Sequence, residues 1–315
     1  MRIAHISDIH LHLDSHNTMV EEFYVLLKKV LQKNPDHIAI TGDISDNAQN
    51  KDLEICRLIL DDLGLLKPHK TSVVIGNHDI YGGVFHAEEI FNFPEKCRSR
   101  DFDSGISNFN FHFRELFTEC LYVSENNSYP YAKLINDTLI IGLNSNIPYS
   151  QIQNPFASNG LINALQREEM LQILQDFSRY SKHIIILVHH HFNRIKSGSS
   201  RILQTVWNNI EKQTMKLRKK KVLFNIFNEF KVDLVLHGHL HEQGNYVRKG
   251  IKFLNSGGSL KNNDHLLNFN IIDLTKNGIA IEQHSIPFDK SKFHSDKHIT
   301  EYRRMAEQVD ARIAV

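Results

Sequence analysis

Side chains that bind metal ions are grouped in five short blocks of this 315-residue chain. Each block directly follows an apolar, strand-like run. Because ligands bind beyond the carboxyl ends of the strands in open α/β sheets, the side chains of all five blocks are expected to converge at one edge. His, Asp and Asn supply the nitrogen and oxygen donors that Mn, Fe and Zn accept. The blocks are SDIHLH (7–12), GDISD (42–46), GNHD (76–79), VHHHF (188–192) and GHLH (238–241).

The elements that must position the first three blocks follow a β-α-β-α-β order. Apolar runs at 3–6, 37–41 and 71–75 predict three strands. Apolar residues at helical spacing predict amphipathic helices over 18–32 and 53–63. Such alternation is typical of right-handed crossovers and a mainly parallel sheet.

Two stretches interrupt this regular pattern. Residues 80–128 hold eight Phe among Gly, Ser, Asn and Asp with poor periodicity. We expect an irregular insertion that packs on its own aromatic side chains; a cap over the substrate pocket is a compatible alternative. Residues 195–231 form a second insertion, predicted to be helical and basic.

The later elements are predicted mostly from apolar runs and turn residues. No internal repeat or linker divides the chain, so a single domain over 1–290 is expected, followed by a polar tail over 291–315 that is predicted to be helical. The expected later elements are a hairpin (131–135 and 138–143), a helix (163–177), two strands (184–188 and 232–236) and further strands, mostly antiparallel, between 246 and 286.

Composition excludes several classes of protein. The odd number of cysteines (Cys56, Cys97 and Cys120), with no C-x-x-C pair, predicts reduced thiols and a cytoplasmic location. The first residues lack the apolar core of a secretory signal. The longest aliphatic run, 184–188, is too short to span a bilayer. A net charge of +1 gives no overall field for nucleic acid, so a nucleic-acid partner is not expected.

The five blocks together resemble the calcineurin-like metallophosphoesterase superfamily. Its pattern is Asp-x-His, Gly-Asp, Gly-Asn-His-Asp/Glu, His and Gly-His-x-His, and all five parts occur here in order between residues 8 and 241. The resemblance implies an α/β fold, a four-layer α-β-β-α sandwich of two mixed sheets with the metal site at the carboxyl-terminal edge of the strands. It also implies two metal ions, drawn from Mn, Fe and Zn, and hydrolysis of phosphoesters by a metal-bridging hydroxide.

The resemblance further implies which residues bind the metals. Asp43 would bridge both ions. His190 is the alternative to His189, because the block lacks the Pro that the family often shows there. The implied ligands are Asp8, His10, Asp43 and His241 for one metal, and Asp43, Asn77, His189 and His239 for the other.

His78 is implied to act near the leaving group rather than as a ligand. It would donate a proton or a hydrogen bond to the departing alkoxide. The resemblance implies that Asp79 bonds the other ring nitrogen of His78 and fixes its tautomer. His12 and His16, beside the first block, are alternatives for contact with phosphate.

The chain looks most like the bacterial phosphodiesterase branch, including cyclic-AMP phosphodiesterase-like proteins. The implied substrate is a small phosphoester, a nucleotide or a glycerophosphodiester. Alternatives are a phosphomonoesterase, a nucleotide-sugar or lipid pyrophosphatase, a nuclease and a non-enzymatic scaffold. The basic run KLRKKK, from Lys216 to Lys221, is either a solvated helix face or a peripheral membrane contact. No feature of the sequence indicates an oligomeric state.

Overall fold

Two β-sheets form the centre of the protein, and helices cover their outer faces. The computed structural model describes residues 1–13, 18–83, 89–192, 215, 217–260, 266–276, 278–288 and 297–313. His16, Lys216 and most of the predicted second insertion lie outside these ranges. The layers follow the order helix, sheet, sheet, helix, as the sequence predicted.

One sheet has five strands: β1 (Arg2–Ile6), β2 (His37–Ile40), β3 (Thr71–Val73), β11 (Leu266–Thr275) and β12 (Gly278–Pro287). Their order is β12-β11-β1-β2-β3. Strands β1, β2 and β3 run parallel, and the β11–β12 hairpin pairs antiparallel to β1. The predicted parallel β-α-β-α-β unit is therefore confirmed.

The other sheet has seven strands: β4 (Tyr122–Val123), β5 (Tyr131–Ile135), β6 (Thr138–Gly142), β7 (His183–Leu187), β8 (Leu234–His237), β9 (Gly244–Arg248) and β10 (Ile251–Asn255). Their order is β4-β5-β6-β7-β8-β10-β9. Strands β6, β7, β8 and β10 run parallel. The remaining pairings are antiparallel, so this sheet is also mixed.

The helices of the described chain are α1 (Met19–Leu31), α2 (Asn50–Asp62), α3 (His78–Tyr81), α4 (Glu89–Ser99), α5 (Phe102–His112), α6 (Ala164–Phe177), α7 (Lys220–Glu229) and α8 (Lys297–Ile313). Helices α1 and α2 belong to the core of the five-stranded sheet, and α8 packs on α2. Helices α6 and α7 cover the seven-stranded sheet. None of the described helices is both long enough and apolar enough to cross a bilayer.

Strand β7 carries apolar residues on both of its faces, because it lies in the middle of the sandwich. Ile184 and Ile186 pack with α6 and α7 on the outer face. Ile185 and Leu187 belong to the core between the sheets. Successive side chains point to opposite faces of a strand, so both faces of β7 must be apolar.

The expectation of an irregular stretch within 80–128 is wrong for the part that helices α4 and α5 occupy. Asp101 caps α5 by accepting a hydrogen bond from the Ser104 backbone N–H at 2.7 Å. The helical period was hidden because Pro94 and Gly105 interrupt it. It was also hidden because Phe111 points outward, with 58% of its surface exposed.

The described part of the basic run 216–221 is only partly a solvated face. Leu217 is buried. Lys220 Nζ donates to the Phe192 carbonyl at 3.0 Å. Arg218 Nη1 donates to Gln153 Oε1 at 3.2 Å. Part of this cationic charge is therefore directed into the protein rather than towards a surface.

Side chains of the seven-stranded sheet and of the loop after β6 bond to the open edge of β3. Strand β3 lies at the edge of its sheet, so every second carbonyl lacks a strand partner. The donor–acceptor pairs are Lys133 Nζ to Thr71 O (2.8 Å), Tyr131 Oη to Val73 O (2.8 Å) and Asn146 Nδ2 to Ile75 O (3.0 Å). We call these three bonds the inter-sheet seam. They fix the position of one sheet relative to the other.

Candidate metal centre

All seven predicted ligands lie at the carboxyl ends of parallel strands, divided between the two sheets. The five-stranded sheet supplies Asp8 and His10 after β1, Asp43 after β2 and Asn77 after β3. The seven-stranded sheet supplies His189 after β7, and His239 and His241 after β8. The site therefore forms only where the edges of both sheets meet.

The first group of ligands, which we call the inner cluster, comprises Asp43, Asn77, His189 and His239. Every member is at least 95% buried. His189 Nε2 is the common neighbour: it lies 3.2 Å from Asp43 Oδ2, 3.2 Å from Asn77 Oδ1 and 3.1 Å from His239 Nδ1. The structure thus brings together the predicted ligands of one metal.

The second group, the outer cluster, comprises Asp8, His10 and His241. His10 Nε2 lies 3.1 Å from His241 Nε2, which lies 3.9 Å from Asp8 Oδ1. Asp43 Oδ2 is 3.7 Å from His10 Nε2 and joins this cluster to the inner one. Asp8 and His10 are buried, whereas the side chain of His241 is 38% exposed.

The tautomers of two histidines show that a cation fits between these side chains. His189 Nδ1 donates to the Thr41 carbonyl at 2.8 Å, and His10 Nδ1 donates to Asp46 Oδ1 at 2.9 Å. In a neutral ring the other nitrogen, Nε2, then carries a lone pair. For His189 this lone pair faces the acceptor oxygens of Asp43 and Asn77. Ligand atoms bound at about 2.1 Å to one ion lie about 3.0–3.4 Å apart, which matches the inner cluster.

The pKa values of Asp8, Asp43 and His189 are shifted by burial and by the charges of one another. Burial opposes ionisation of Asp43, but His189, His78 and His10 hold its pKa well below the usual range. Burial alone would lower the pKa of His189, yet Asp43 and Asp8 raise it to about 9. Burial raises the pKa of Asp8 to about 7, and the like charge of Asp43 adds to the effect. The carboxylates of the centre therefore favour a positive charge at this position, which a bound metal ion would supply.

The backbone at four ligands lies in the left-handed region. The φ angles are 50° at Asp8, 52° at His10, 51° at Asp43 and 74° at His239. Residues with a Cβ rarely adopt this conformation and retain it only where their surroundings enforce it. The sharp turns point the side chains back across the ends of the strands.

Glycines in the same turns provide room as well as conformational freedom. Gly42 has a φ of 90°, a backbone conformation that glycine adopts without strain in a tight turn. Gly76 instead packs directly on Asp43, and a Cβ there would overlap the carboxylate. A Cβ on Gly238 would likewise overlap Asp8. Both positions need Gly because the carboxylates lie against the backbone.

The predicted contact between Asp79 and His78 is wrong, because Asp46 takes that place. His78 Nδ1 lies 3.1 Å from the Asp46 carbonyl and 3.3 Å from Asp46 Oδ1. Asp46 Oδ1 also accepts the hydrogen bond from His10 Nδ1. One carboxylate thereby orients His10, a predicted metal ligand, and His78, the predicted proton donor, together. Although burial opposes it, bonding to both histidines holds the pKa of Asp46 far below its usual range.

Asp79 binds backbone instead of a histidine ring. Its Oδ1 accepts from the N–H groups of Ile44 and Ser45, each at 2.8 Å, and its Oδ2 accepts from Gly76 at 2.9 Å. Asp79 thus ties the turn after β2 to the turn after β3. Burial, together with the charge of Asp43, raises the pKa of Asp79 to about 7.

Sequence reasoning assigned no role to Asp46, although a signal was present. Asp46 lies three residues after Asp43, within the block GDISD. A carboxylate one turn beyond the bridging Asp could have been considered as a partner for a histidine. Its distance to His10 and His78 was set by the loops and not by local spacing.

The neighbouring histidines have other surroundings. His190 Nδ1 lies 2.7 Å from Ser145 Oγ, so its ring is engaged away from Asp43 and Asn77. The geometry therefore favours His189 over His190 as the ligand. His237 Nε2 lies 2.9 Å from the Tyr246 hydroxyl. His12 is half-buried and interacts electrostatically with Asp52.

A family profile for calcineurin-like phosphoesterases matches residues 1–243 of the chain. The chain belongs to this family. Together with the His and Asp clusters, this membership makes the protein a metal-dependent phosphoesterase of a family that uses two metal ions. No curated protein matches the chain.

Two solved structures support the same fold, and a third is similar at a lower TM-score. A dimetal phosphatase from Danio rerio is 12% identical, with a TM-score of 0.53, over 91% of this chain and 99% of that one. Purple acid phosphatase PPD1 from yellow lupin (Lupinus luteus) is 13% identical, with a TM-score of 0.54, over 90% of this chain and 51% of that one. A putative 5'-nucleotidase from Staphylococcus aureus is 14% identical, with a TM-score of 0.47, over 98% of this chain and 58% of that one. The chain thus spans little more than half the length of two of these proteins.

Proposed function

We propose that the protein hydrolyses a phosphodiester bond in a small nucleotide or glycerophosphodiester. The observation that carries this proposal is the convergence of the inner and outer clusters on Asp43, whose Oδ2 lies 3.2 Å from His189 Nε2 and 3.7 Å from His10 Nε2. Two cations bound there would lower the pKa of a water molecule and neutralise the phosphate oxygens. The residues proposed to hold them are Asp8, His10, Asp43, Asn77, His189, His239 and His241.

His78 is proposed to donate a proton or a hydrogen bond to the leaving oxygen. Its ring stands edge-on to His10, with 4.5 Å between the ring centroids, and 21% of its side chain is exposed. The ring is therefore beside the outer cluster and also accessible to a ligand. Asp46 contacts His78 Nδ1 and thereby directs His78 Nε2 away from the loop that carries Asp46.

The charges around the centre favour a phosphate with one negative charge. Within the described ranges, no Lys or Arg side chain contacts Asp8, Asp43, Asn77, His189 or His239. A phosphomonoester, which carries a second charge near neutral pH, would be less well neutralised here than a diester. This supports a phosphodiesterase over the phosphomonoesterase alternative.

The test compares two chromogenic substrates with the Mn-loaded protein. We expect kcat/KM for bis-p-nitrophenyl phosphate to exceed that for p-nitrophenyl phosphate. Metal content is measured on the same sample by mass spectrometry. A reversed preference would establish the monoesterase alternative, and absence of hydrolysis with two bound metals would contradict both.

Two further features stay predictions. A cytoplasmic location is consistent with three cysteines that form no disulfide. Among the described residues of the run 216–221, a peripheral membrane contact would rely on Lys219 and Lys221, because Arg218 bonds to Gln153 and Lys220 bonds to the Phe192 carbonyl.

A further inference from the structure

A cavity of about 300 Å³ lies next to the segment that holds His78. Gly83, in its wall, packs directly on the His78 ring, where an added Cβ would overlap the imidazole. The Gly83 N–H also donates to the Asp46 carbonyl at 3.0 Å. Asn47, which follows Asp46, lines the cavity as well. The proposed proton donor and the cavity therefore share one stretch of backbone.

The lining of this cavity is cationic. Lys96 of α4 and Arg100, just after the end of this helix, both line the cavity. The amide side chains of Asn47, Gln49 and Asn92 also line the cavity. Among its described lining residues there is no Asp or Glu. Cations and amides without a carboxylate are suited to an anionic ligand.

The bonds of Arg100 leave room for a stronger acceptor. Arg100 donates to the carbonyls of Ala48 and Asn47 at 3.4 and 3.5 Å, near the limit of a hydrogen bond. Lys96 Nζ donates to Asn47 Oδ1 at 3.2 Å and to the Gly83 carbonyl at 3.3 Å. These acceptors are neutral, and bonds to a phosphate oxygen would be shorter and stronger. Arg can also present two parallel N–H groups to a phosphate.

We propose that Lys96 and Arg100 form a subsite for a second anionic group of the substrate, specifically a phosphate. The subsite rests on the proposed function and narrows it: the substrate is a diester with a second phosphate on the part that leaves from His78. The metal centre takes the singly charged diester, and the cavity takes the remote charge. This division explains why the described cations stand beyond His78 and not around Asp43.

The experiment uses three dinucleotides that share one phosphodiester: thymidylyl-thymidine alone, with a 5'-phosphate, and with a 3'-phosphate. We expect the Mn-loaded protein to cleave one phosphorylated form with a kcat/KM at least about tenfold above that of the parent. In the double variant Lys96→Met/Arg100→Met the ratio should fall below about threefold. Arg100→Lys should keep only part of the preference, since it keeps the charge but loses the paired N–H groups.

Arg98→Met is the matched control. Arg98 belongs to the same helix, is exposed and is not part of the cavity lining, so this variant should retain the full ratio. Equal kcat/KM values for all three dinucleotides in the unmodified protein would overturn the subsite. A preference that survives the double variant would overturn it as well. Thermal unfolding of each variant identifies any loss of folding, and in that case the single variants replace the double one.

A binding measurement separates the subsite from the proposed activity. Calorimetry compares thymidine 3',5'-bisphosphate with thymidine 5'-monophosphate, with and without Mn. We expect at least about tenfold tighter binding of the bisphosphate, lost in the double variant and kept in Arg98→Met. If the protein binds the bisphosphate preferentially but hydrolyses no phosphodiester, the proposed function is rejected and the subsite is supported. If it hydrolyses the dinucleotides but binds the bisphosphate and the monophosphate equally, the subsite is rejected and the proposed function is supported.

Discussion

The inner and outer clusters use the same kinds of ligand but differ in their access to solvent. In the inner cluster, Asp43, His189 and His239 are all at least 97% buried. In the outer cluster, the side chain of His241 is 38% exposed. Donor chemistry alone would give the two sites similar affinities. Burial makes an uncompensated charge costly, so the inner cluster depends more strongly on its cation than the outer one does.

The electrostatics of the inner cluster lead to the same conclusion. The neighbouring carboxylates raise the pKa of His189 to about 9, although burial opposes this. A cation bound between these buried side chains would be enclosed by protein. The outer cluster has a ligand that solvent can reach. We therefore infer that the outer metal exchanges faster and is the first to be removed by a chelator.

Asp43→Asn should have the largest effect, because Asp43 is the residue on which both clusters depend. Loss of the bridging charge is expected to lower kcat for bis-p-nitrophenyl phosphate by about 10³-fold or more and to reduce the content of both metals. Asp62→Asn, an exposed carboxylate at the end of α2, is the control. Normal rates in Asp43→Asn would show that the clusters do not share a ligand.

His189→Ala and His241→Ala compare the two clusters directly. His189→Ala should abolish binding of one metal, because it removes the common neighbour of the inner ligands. His241→Ala should weaken the other metal by about 10–100-fold, since water can take the place of the exposed ring. Metal content is measured after dialysis against graded chelator, with exposed His69→Ala as the control. Equal losses in both variants would remove the distinction between the clusters.

His78→Ala tests a residue that borders the outer cluster without belonging to it. We expect both metals to be retained and turnover of substrates with poor leaving groups to fall by about 10²–10⁴-fold. Substrates with good leaving groups should be affected less, because they need no proton. Asp46→Asn should show the same leaving-group dependence and also weaken the outer metal, because it releases His10. A uniform slowing across leaving groups would contradict the role in proton donation.

Lys133→Met has the smallest expected effect on metal binding and turnover. Lys133 belongs to the inter-sheet seam and contacts neither cluster, so the substitution acts on both clusters equally. Burial lowers the pKa of Lys133 from 10.5 to about 8. Between these values the unfolded chain binds more protons than the folded one, so the stability contributed by Lys133 rises with pH and is reduced below about pH 8. The unfolding free energy of the natural protein should therefore rise relative to the variant by up to about 3 kcal/mol from pH 8 to 10.5.

Chemical denaturation at several pH values measures this difference. Subtracting the variant cancels the titration of groups that do not interact with Lys133; the Cys120 thiol, which does, is replaced by Ser in both proteins. If the difference in unfolding free energy between the natural protein and the variant does not change with pH, Lys133 has the same charge in the folded and unfolded states.

The sequence predicted the parallel strands and the positions of the seven ligands, because both depend on short-range patterns. Apolar runs specify strands, and a polar block after each run must lie at the sheet edge. Helices α4 and α5 were missed because Pro94, Gly105 and outward-facing Phe111 obscure their period. The contact between Asp79 and His78, which the family resemblance implied, is wrong because Asp79 binds the backbone of the neighbouring turns. The loop after β2 instead carries Asp46 to that ring.

By itself, the chain determined which residue types stand at the ends of which strands, and thus the class of chemistry. The tertiary structure decided that one cluster is enclosed and the other open, that Asp46 serves two histidines, and that Lys96 and Arg100 stand beside His78. Ligand identity is a local property of the sequence. Burial and distance between the two sheets arise from packing of segments more than a hundred residues apart, such as Asn77 and His189, which no local pattern encodes.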